Sequence, residues 1–242
     1  MGWITPDWPL ARRVNVVSTL RAGGVSEGPY ASLNLAAHVG DRPEAVAANR
    51  LLLREALQLP AEPLWLEQVH GVEVVRHGDA MPGVRADAAV AFEPGRVCAV
   101  MTADCLPVVF ADRPGSRVAV AHAGWRGLLG GILEATVARL GGEAGDLDAW
   151  LGPAIGPGAF EVGAEVREAY VARLPGSEAC FVRNERGRYL ADLCGLSRLV
   201  LGRAGIGVVH GGGWCTLTDA ERFFSFRRDG VTGRMATLAW LA

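Results

Sequence analysis

Three residues of this 242-residue chain combine type and setting in a way that suits metal chemistry: His70, Cys105 and His122. Each is read as closing an apolar, strand-like run beside a Gly or Pro: Trp65-Leu-Glu-Gln-Val-His-Gly71, Met101-Thr-Ala-Asp-Cys-Leu-Pro107 and Val118-Ala-Val-Ala-His-Ala-Gly124. A rigid scaffold commonly presents a site in this way. Two imidazoles and one thiolate suit Zn²⁺, with copper as the alternative ion, and three protein ligands leave a fourth tetrahedral position open for water. Such an ion lowers the pKa of its water toward ~7 and makes hydroxide available at neutral pH. The donors stand 35 and 17 residues apart, which matches no short zinc signature. Cys105 with a nearby imidazole also permits a second reading, a thiolate activated by His122 as the nucleophile of a hydrolase or acyl transferase. The two readings compete for one sulfur.

The elements that must position these residues read as short strands interspersed with helices. Strands are expected at Val14–Thr19, Pro63–Val69, Gly71–Arg76, Ala88–Phe92, Val97–Thr102, Pro107–Ala111, Val118–His122, Leu147–Leu151, Gly207–His210, Phe223–Phe226 and Ala236–Leu241, where apolar runs are short and β-branched. Arg21–Leu35 reads as a Gly-, Ser- and Asn-rich loop. A helix opens at Asp41-Arg-Pro-Glu44, with Asp41 as cap, and runs to about Pro60, burying Val46, Leu53 and Leu57 on one face. Further helices are expected at Leu128–Leu140, Ala164–Arg173 and Leu193–Ala204. Clustered strands with separate helices predict an α+β fold of stacked mixed sheets with helices outside, in one domain spanning residues 1–242.

Composition narrows the function classes. The net charge is −2, so no long-range field marks a nucleic-acid or anionic-membrane partner. All 24 basic residues are Arg, which removes Schiff-base and P-loop lysine chemistry. Five scattered cysteines make no disulfide framework. No secretory signal is visible and no apolar run is long enough to span a membrane, so a bacterial cytoplasmic location with reduced thiols is expected.

The segments Leu66-Glu-Gln-Val-His-Gly71, Thr102-Ala-Asp-Cys-Leu-Pro-Val108 and His122-Ala-Gly-Trp-Arg-Gly127 resemble the bacterial laccase-domain, or polyphenol-oxidase, family. The resemblance covers nearly the whole chain. It includes Ser18–Ser26, Tyr30–Leu35, His38-Val-Gly-Asp41, Asn49-Arg50, Gly152–Pro157, Phe223–Gly230 and Thr232-Gly-Arg-Met235, with departures at Leu20 and Ala36-Ala37. It implies that His70, Cys105 and His122 are metal ligands. It also implies an α/β/β/α sandwich similar to the catalytic domain of cytotoxic necrotizing factors, where a Cys–His pair is catalytic. The family's activities are described as phosphorolysis of adenosine, inosine, guanosine and methylthioadenosine, with deamination of adenosine. Some relatives carry a peptidoglycan-editing label, which gives the Cys105 hydrolase reading a substrate class. The laccase label itself fits poorly: a multicopper oxidase demands roughly ten imidazoles, typically in His-x-His pairs. This chain has five histidines and no such pair.

Phosphorolysis needs purine nucleoside, phosphate and an anion site. Arg21, Arg126 and Arg227, with Arg50 and Arg228, are the candidates, because a guanidinium clamps phosphate with two N–H groups. Arg21 has the best sequence claim, in a Gly-rich loop after a strand. Trp125 is a candidate for stacking on a purine, and Asp104 for orienting a ligand imidazole. His77 reads as a surface residue at a strand end, while Cys98, Cys180, Cys194 and Cys215 read as small buried hydrophobes. Gly24-Val-Ser-Glu-Gly28 and His210-Gly-Gly-Gly213 mimic hydrolase motifs, but their context fits turns better.

Overall fold

The computed structural model describes residues 1–9 and 11–242. The first half carries β1 (Trp3–Ile4), β2 (Val14–Thr19), α1 (Pro43–Ala56), β3 (Val74–Arg76), β4 (Ala88–Ala91), β5 (Cys98–Thr102), β6 (Leu106–Asp112) and β7 (Val118–Ala123). Then follow α2 (Trp125–Gly130), α3 (Ile132–Leu140), β8 (Leu147–Leu151), β9 (Glu161–Val162) and α4 (Ala164–Arg173). The chain continues with β10 (Phe181–Arg183), β11 (Tyr189–Ala191), α5 (Leu193–Arg203), β12 (Val208–Gly211), α6 (Phe226–Asp229) and β13 (Met235–Leu241).

These strands form a four-stranded sheet ordered β1-β2-β13-β5, a six-stranded mixed sheet ordered β12-β8-β6-β7-β4-β3, and a small sheet β10-β11-β9. The two larger sheets stack, and the period-2 alternation of strand side chains divides the core into layers. Val14, Val16, Cys98, Val100, Ala239 and Leu241 of one sheet meet Ala89, Ala91, Val109, Val118, Val120 and Trp150 of the other. The intervening residues of the six-stranded sheet, among them Val108, Phe110, Ala119 and Ala121, turn outward to Ile132, Leu133 and Val200 of α3 and α5. Those of the four-stranded sheet, among them Val17, Ala99, Leu238 and Trp240, pack with Leu53 of α1. The expected stacked sheets between helices are therefore present; the six-stranded sheet is mixed as expected, while the four-stranded one is antiparallel throughout.

Several expected elements differ for identifiable reasons. The Leu128–Leu140 helix is two helices, because Gly131 adopts a left-handed conformation (φ 107°) between α2 and α3. Residues 63–69 form no strand: Leu64 bridges only to Cys98 and Glu67 only to Arg85, two different partners, so no ladder develops. Phe223–Phe226 is not a strand either; Phe223 and Phe224 are buried in a small cluster, and the Ser225 hydroxyl accepts from Arg228 N (3.2 Å), capping α6. Asp41 does not cap α1, whose N-cap is Arg42; its Oδ2 instead accepts from Ser26 and Asn34, 2.6 and 2.9 Å away. The helix ends at Ala56, short of Pro60.

The long loop before α1 is built on Asn49, which is fully buried in that helix. Its amide donates to Ser26 Oγ, Ser32 O and Asn34 O at 2.9–3.1 Å and accepts from Val25 N at 2.8 Å. Replacing it by Leu leaves Val25 N–H and Asn34 O unpaired, at ~1–3 kcal/mol each, and takes one partner each from Ser26 Oγ and Ser32 O. Asn49→Leu is expected to lower the thermal midpoint by at least about 6 °C, read by calorimetry. A shift under about 2 °C would show that the loop does not depend on this amide.

Candidate metal centre

His122 is the next side chain after Val118 and Val120 on the inter-sheet face of β7, so its imidazole lies at the open end of the layer between the sheets. Cys105 sits in the turn between β5 and β6, directly after Asp104, whose φ is 91°. His70 does not end a strand. It lies in a loop with a left-handed φ of 59°, and Gln68 anchors that loop by pairing its amide with both Met101 N (2.7 Å) and Met101 O (2.8 Å) on the edge of β5.

The group that joins these pieces is Asp87, a fully buried carboxylate at the entrance to β4. It accepts from the backbone N–H groups of Val69 (3.2 Å), His70 (3.0 Å) and Gly71 (2.6 Å), and its Oδ1 is 2.8 Å from His122 Nδ1. Burial alone would raise its pKa; the bonds from His122, Gly71 and Val69 hold it below the usual carboxylate range. With Nδ1 committed to Asp87, His122 presents Nε2 to the site. Asp104 does not orient a ligand imidazole. Its oxygens accept from Thr216 Oγ1 (2.6 Å) and Arg227 N (2.7 Å), tying the Cys105 turn to the start of α6.

One donor atom each from His70, Cys105 and His122 lie within 4.8 Å of one another. His70 Nε2 is 3.7 Å from Cys105 Sγ. Tetrahedral bonds of ~2.1 Å to nitrogen and ~2.3 Å to sulfur place such atoms about 3.6 Å apart, so the donor set fits a small divalent ion. Gly124 makes the approach possible: a Cβ there would lie 2.8 Å from His70 Cδ2 and 3.1 Å from Cys105 Sγ. Without an ion the pair is polarised. Burial would raise the Cys105 thiol, but His122 and His70 outweigh it and hold it down to about 6. Burial would lower His122, but the Cys105 thiolate and Asp87 raise it to about 9.

The centre opens into a cleft of about 250 Å³ lined by His38, Gln68, Met101, Phe226 and Arg234. A broader groove of about 610 Å³, holding Arg50 and Trp65, continues from it and shares His38, Gln68 and Met101. His38, whose role the sequence leaves open, thus stands at this cleft, while His210 stacks on Trp8 at 5.5 Å. His77 does follow a strand end, but it is buried rather than on the surface. Of the expected phosphate arginines, Arg50 lines the adjoining groove, whereas Arg21, Arg126, Arg227 and Arg228 line neither space. Arg21 gives its guanidinium to Ala31 O and Ala220 O, Arg227 gives Nη1 to Glu161 O, and Arg126 lies over the Trp125 ring. Trp125 itself packs against the helix-side core. Cys98 is buried as expected, whereas Cys180, Cys194 and Cys215 are only partly so. Asp87 and Arg234 escaped the sequence reading. Asp87 had one signal, an acid opening the otherwise apolar run Ala88-Ala-Val-Ala91.

A family described as multi-copper polyphenol oxidoreductase laccase matches residues 15–242. The chain is 54% identical to a purine nucleoside phosphorylase of Pseudomonas aeruginosa, covering 99% of this chain and 98% of that protein. It is 52% identical to the purine nucleoside phosphorylase YfiH of Escherichia coli, covering 98% of each. The fold superposes on the crystal structure of Neisseria meningitidis protein NMB0706 with a TM-score of 0.96 at 48% identity, over 100% and 99% of the chains. YlmD from Geobacillus stearothermophilus gives 0.92 at 32% identity, over 100% and 96%.

Two predictions follow from the geometry. Between pH 6 and 9 a metal must displace the His122 proton, so affinity is expected to rise about tenfold per pH unit, with about one proton released per ion. Below about pH 6 the thiol proton must leave too, and the slope steepens further. Chelator-competition titrations across pH read this, and a flat profile contradicts the assigned protonation. Asp87→Asn keeps the size but weakens the acceptor behind His122, and is expected to lower metal affinity about 10–100-fold. Unchanged affinity in folded variant protein would remove Asp87 from the centre.

Proposed function

The chain belongs to the multi-copper polyphenol oxidoreductase laccase family, and we propose that it is a metal-dependent purine nucleoside phosphorylase with adenosine deaminase side activity. Its substrates are adenosine, inosine, guanosine and methylthioadenosine with phosphate, and its ion is Zn²⁺ held by His70, Cys105 and His122. The observation that carries the reading is the convergence of three donors at the mouth of a cleft that also holds Arg234, a cation with no direct ion pair among the described residues. The names of the relatives at 52–54% identity support the substrate class. An ion bound there would supply Lewis acidity beside the reacting groups, for phosphorolysis and for the side deamination alike.

The remaining work falls to the chain. In phosphorolysis a phosphate oxygen bonds to C1′ of the ribose as the C1′–N9 bond breaks, and the electron pair leaves on the purine, which takes up a proton. The combined cleft and groove lie within the ~300–1,000 Å³ of small-molecule sites. Phe226, 57% exposed at the cleft with the Arg234 guanidinium over one side of its ring at 5.6 Å, leaves its other face for stacking a purine. Asp87 holds His122 in one tautomer and orientation. A multicopper oxidase reading is disfavoured by donor supply, since the described residues hold one three-donor cluster and the chain has five histidines.

A second reading, a Cys105-dependent hydrolase acting on peptidoglycan precursors, draws on the thiol held down beside His122. One set of assays separates the two. Metal-loaded protein incubated with adenosine is expected to give adenine only when phosphate is present, and inosine slowly without it, both lost on chelation. Equal conversion by chelated protein would overturn the metal role. Iodoacetamide labelling of Cys105 in metal-loaded protein, together with metal-independent amide cleavage, would establish the hydrolase instead.

A further inference from the structure

We propose that the phosphate of this reaction is held by Arg234 in the cleft of the metal ligands, with Arg50 adding positive charge and His38 a neutral N–H donor. The assignment rests on the phosphorolysis reading, although its structural basis is independent of it. Arg234 and His38 line the same cleft as His70, Cys105 and His122, and Arg50 lines the adjoining groove. Neither Arg234 nor Arg50 makes an ion pair among the described residues. The charges of Cys105 and Asp104 act on Arg234 and that of Glu62 on Arg50, but none closes a direct ion pair, and a partly buried guanidinium without one gains from an anionic ligand.

The geometry of Arg234 is that of a prepared fork. Its Nη1 donates to Thr232 O (2.9 Å) and Gly233 O (3.0 Å), and its backbone N–H donates to Asn34 Oδ1 (3.0 Å). The Nε–Nη2 edge has no acceptor among the described residues, and two parallel N–H groups are what a phosphate accepts bidentately. Arg50 differs. Its Nε and Nη2 both donate to Leu35 O (3.0 and 2.9 Å), and its guanidinium stacks 4.2 Å from the Trp65 ring centre, so it contributes charge rather than a fork. His38 is exposed at the cleft wall, where partial desolvation and then the two guanidiniums push its pKa below the ordinary imidazole value, which favours the neutral ring with one N–H to donate.

Four sequence segments without a role in the metal centre thereby acquire one. Tyr30–Leu35, His38–Asp41, Asn49-Arg50 and Thr232–Met235 are stitched together: Asn34 bonds Arg234 N, Leu35 N donates to Arg234 O (3.3 Å), Tyr30 Oη donates to Val39 O (2.7 Å), and Arg50 bonds Leu35 O. The network fixes the cations at the cleft, and Arg21, Arg126 and Arg227 play no part in it.

The test is Arg234→Gln and Arg234→Lys in metal-loaded enzyme, with steady-state kinetics and direct calorimetry of inorganic phosphate and adenosine 5′-monophosphate. For Arg234→Gln the KM for phosphate and its Kd are expected to rise at least about tenfold. The Lys variant should fall between, and nucleoside KM and metal content should stay within about twofold of wild type. His38→Gln, whose side chain is exposed and safe for folding, should raise phosphate KM by a smaller factor in the same direction. Wild-type protein that binds phosphate through Arg234 but makes no free base keeps the site and overturns the phosphorylase reading. Phosphorolysis with an unmoved phosphate KM in both Arg234 variants overturns the site and keeps the reading. The site also falls if the rise appears in Arg126→Gln or Arg227→Gln instead. Arg234-dependent binding of the monophosphate at least about tenfold tighter than of inorganic phosphate would reassign the site to a nucleotide.

Discussion

Burying a carboxylate is unfavourable by several kcal/mol unless its oxygens find partners, and Asp87 is fully buried where the ligand loop meets the six-stranded sheet. Its partners are three successive backbone N–H groups of residues 69–71 and the imidazole of His122. Those bonds make the loop conformation and the orientation of β7's imidazole mutually dependent. If the carboxylate loses its charge, the loop loses its anion and His70 loses the force that fixes its backbone. The sign is that of a depressed acid: this stability is present above the ordinary carboxylate range and is lost as pH falls through the lowered pKa.

The sandwich supplies what Asp87 cannot. Each strand of the stacked sheets alternates between the inter-sheet layer and a helix-covered face, so a polar residue at a strand end emerges at the rim of the layer without disturbing either core. His122 uses that rim position on β7 and Thr102 the corresponding one on β5. Cys105 then arrives by the turn that joins β5 to β6. The donors are far apart in sequence because the sheet order, not a local motif, brings them together.

Much of this was legible from residue patterns. Val14–Thr19, Leu147–Leu151 and Ala164–Arg173 have the bounds their periodicity predicts, because a buried strand or an amphipathic helix leaves a repeating signal. The short strands β9, β10 and β11 do not: two or three residues of mixed polarity carry no period. The 63–69 segment is apolar because Leu64 and Leu66 pack into the inter-sheet layer and Trp65 on the α1 side, rather than for ladder pairing, which composition alone does not separate. Asp87 and Arg234 were illegible for a different reason. An acid before an apolar run and an arginine after a Gly are common, and only the long-range partners of each, His122 and Asn34, give them meaning.

Metal ligation and nucleophilic attack by Cys105 need much the same neighbours, since an acceptor behind His122 serves a zinc ligand and a catalytic base equally. The second imidazole separates them. A thiolate nucleophile needs one base, which His122 already supplies. His70 adds another nitrogen 3.7 Å from the same sulfur, from a non-glycine residue held in a left-handed conformation that costs ~1–2 kcal/mol. Asp87 offsets that strain by accepting from the backbone of residues 69–71, and Gly124 leaves the room for the His70 ring. Strain maintained solely to bring a third donor to a sulfur that already has its base is expected of a three-ligand centre and superfluous in a Cys–His dyad. That asymmetry is the physical ground for proposing an ion, rather than an acyl group, on Cys105.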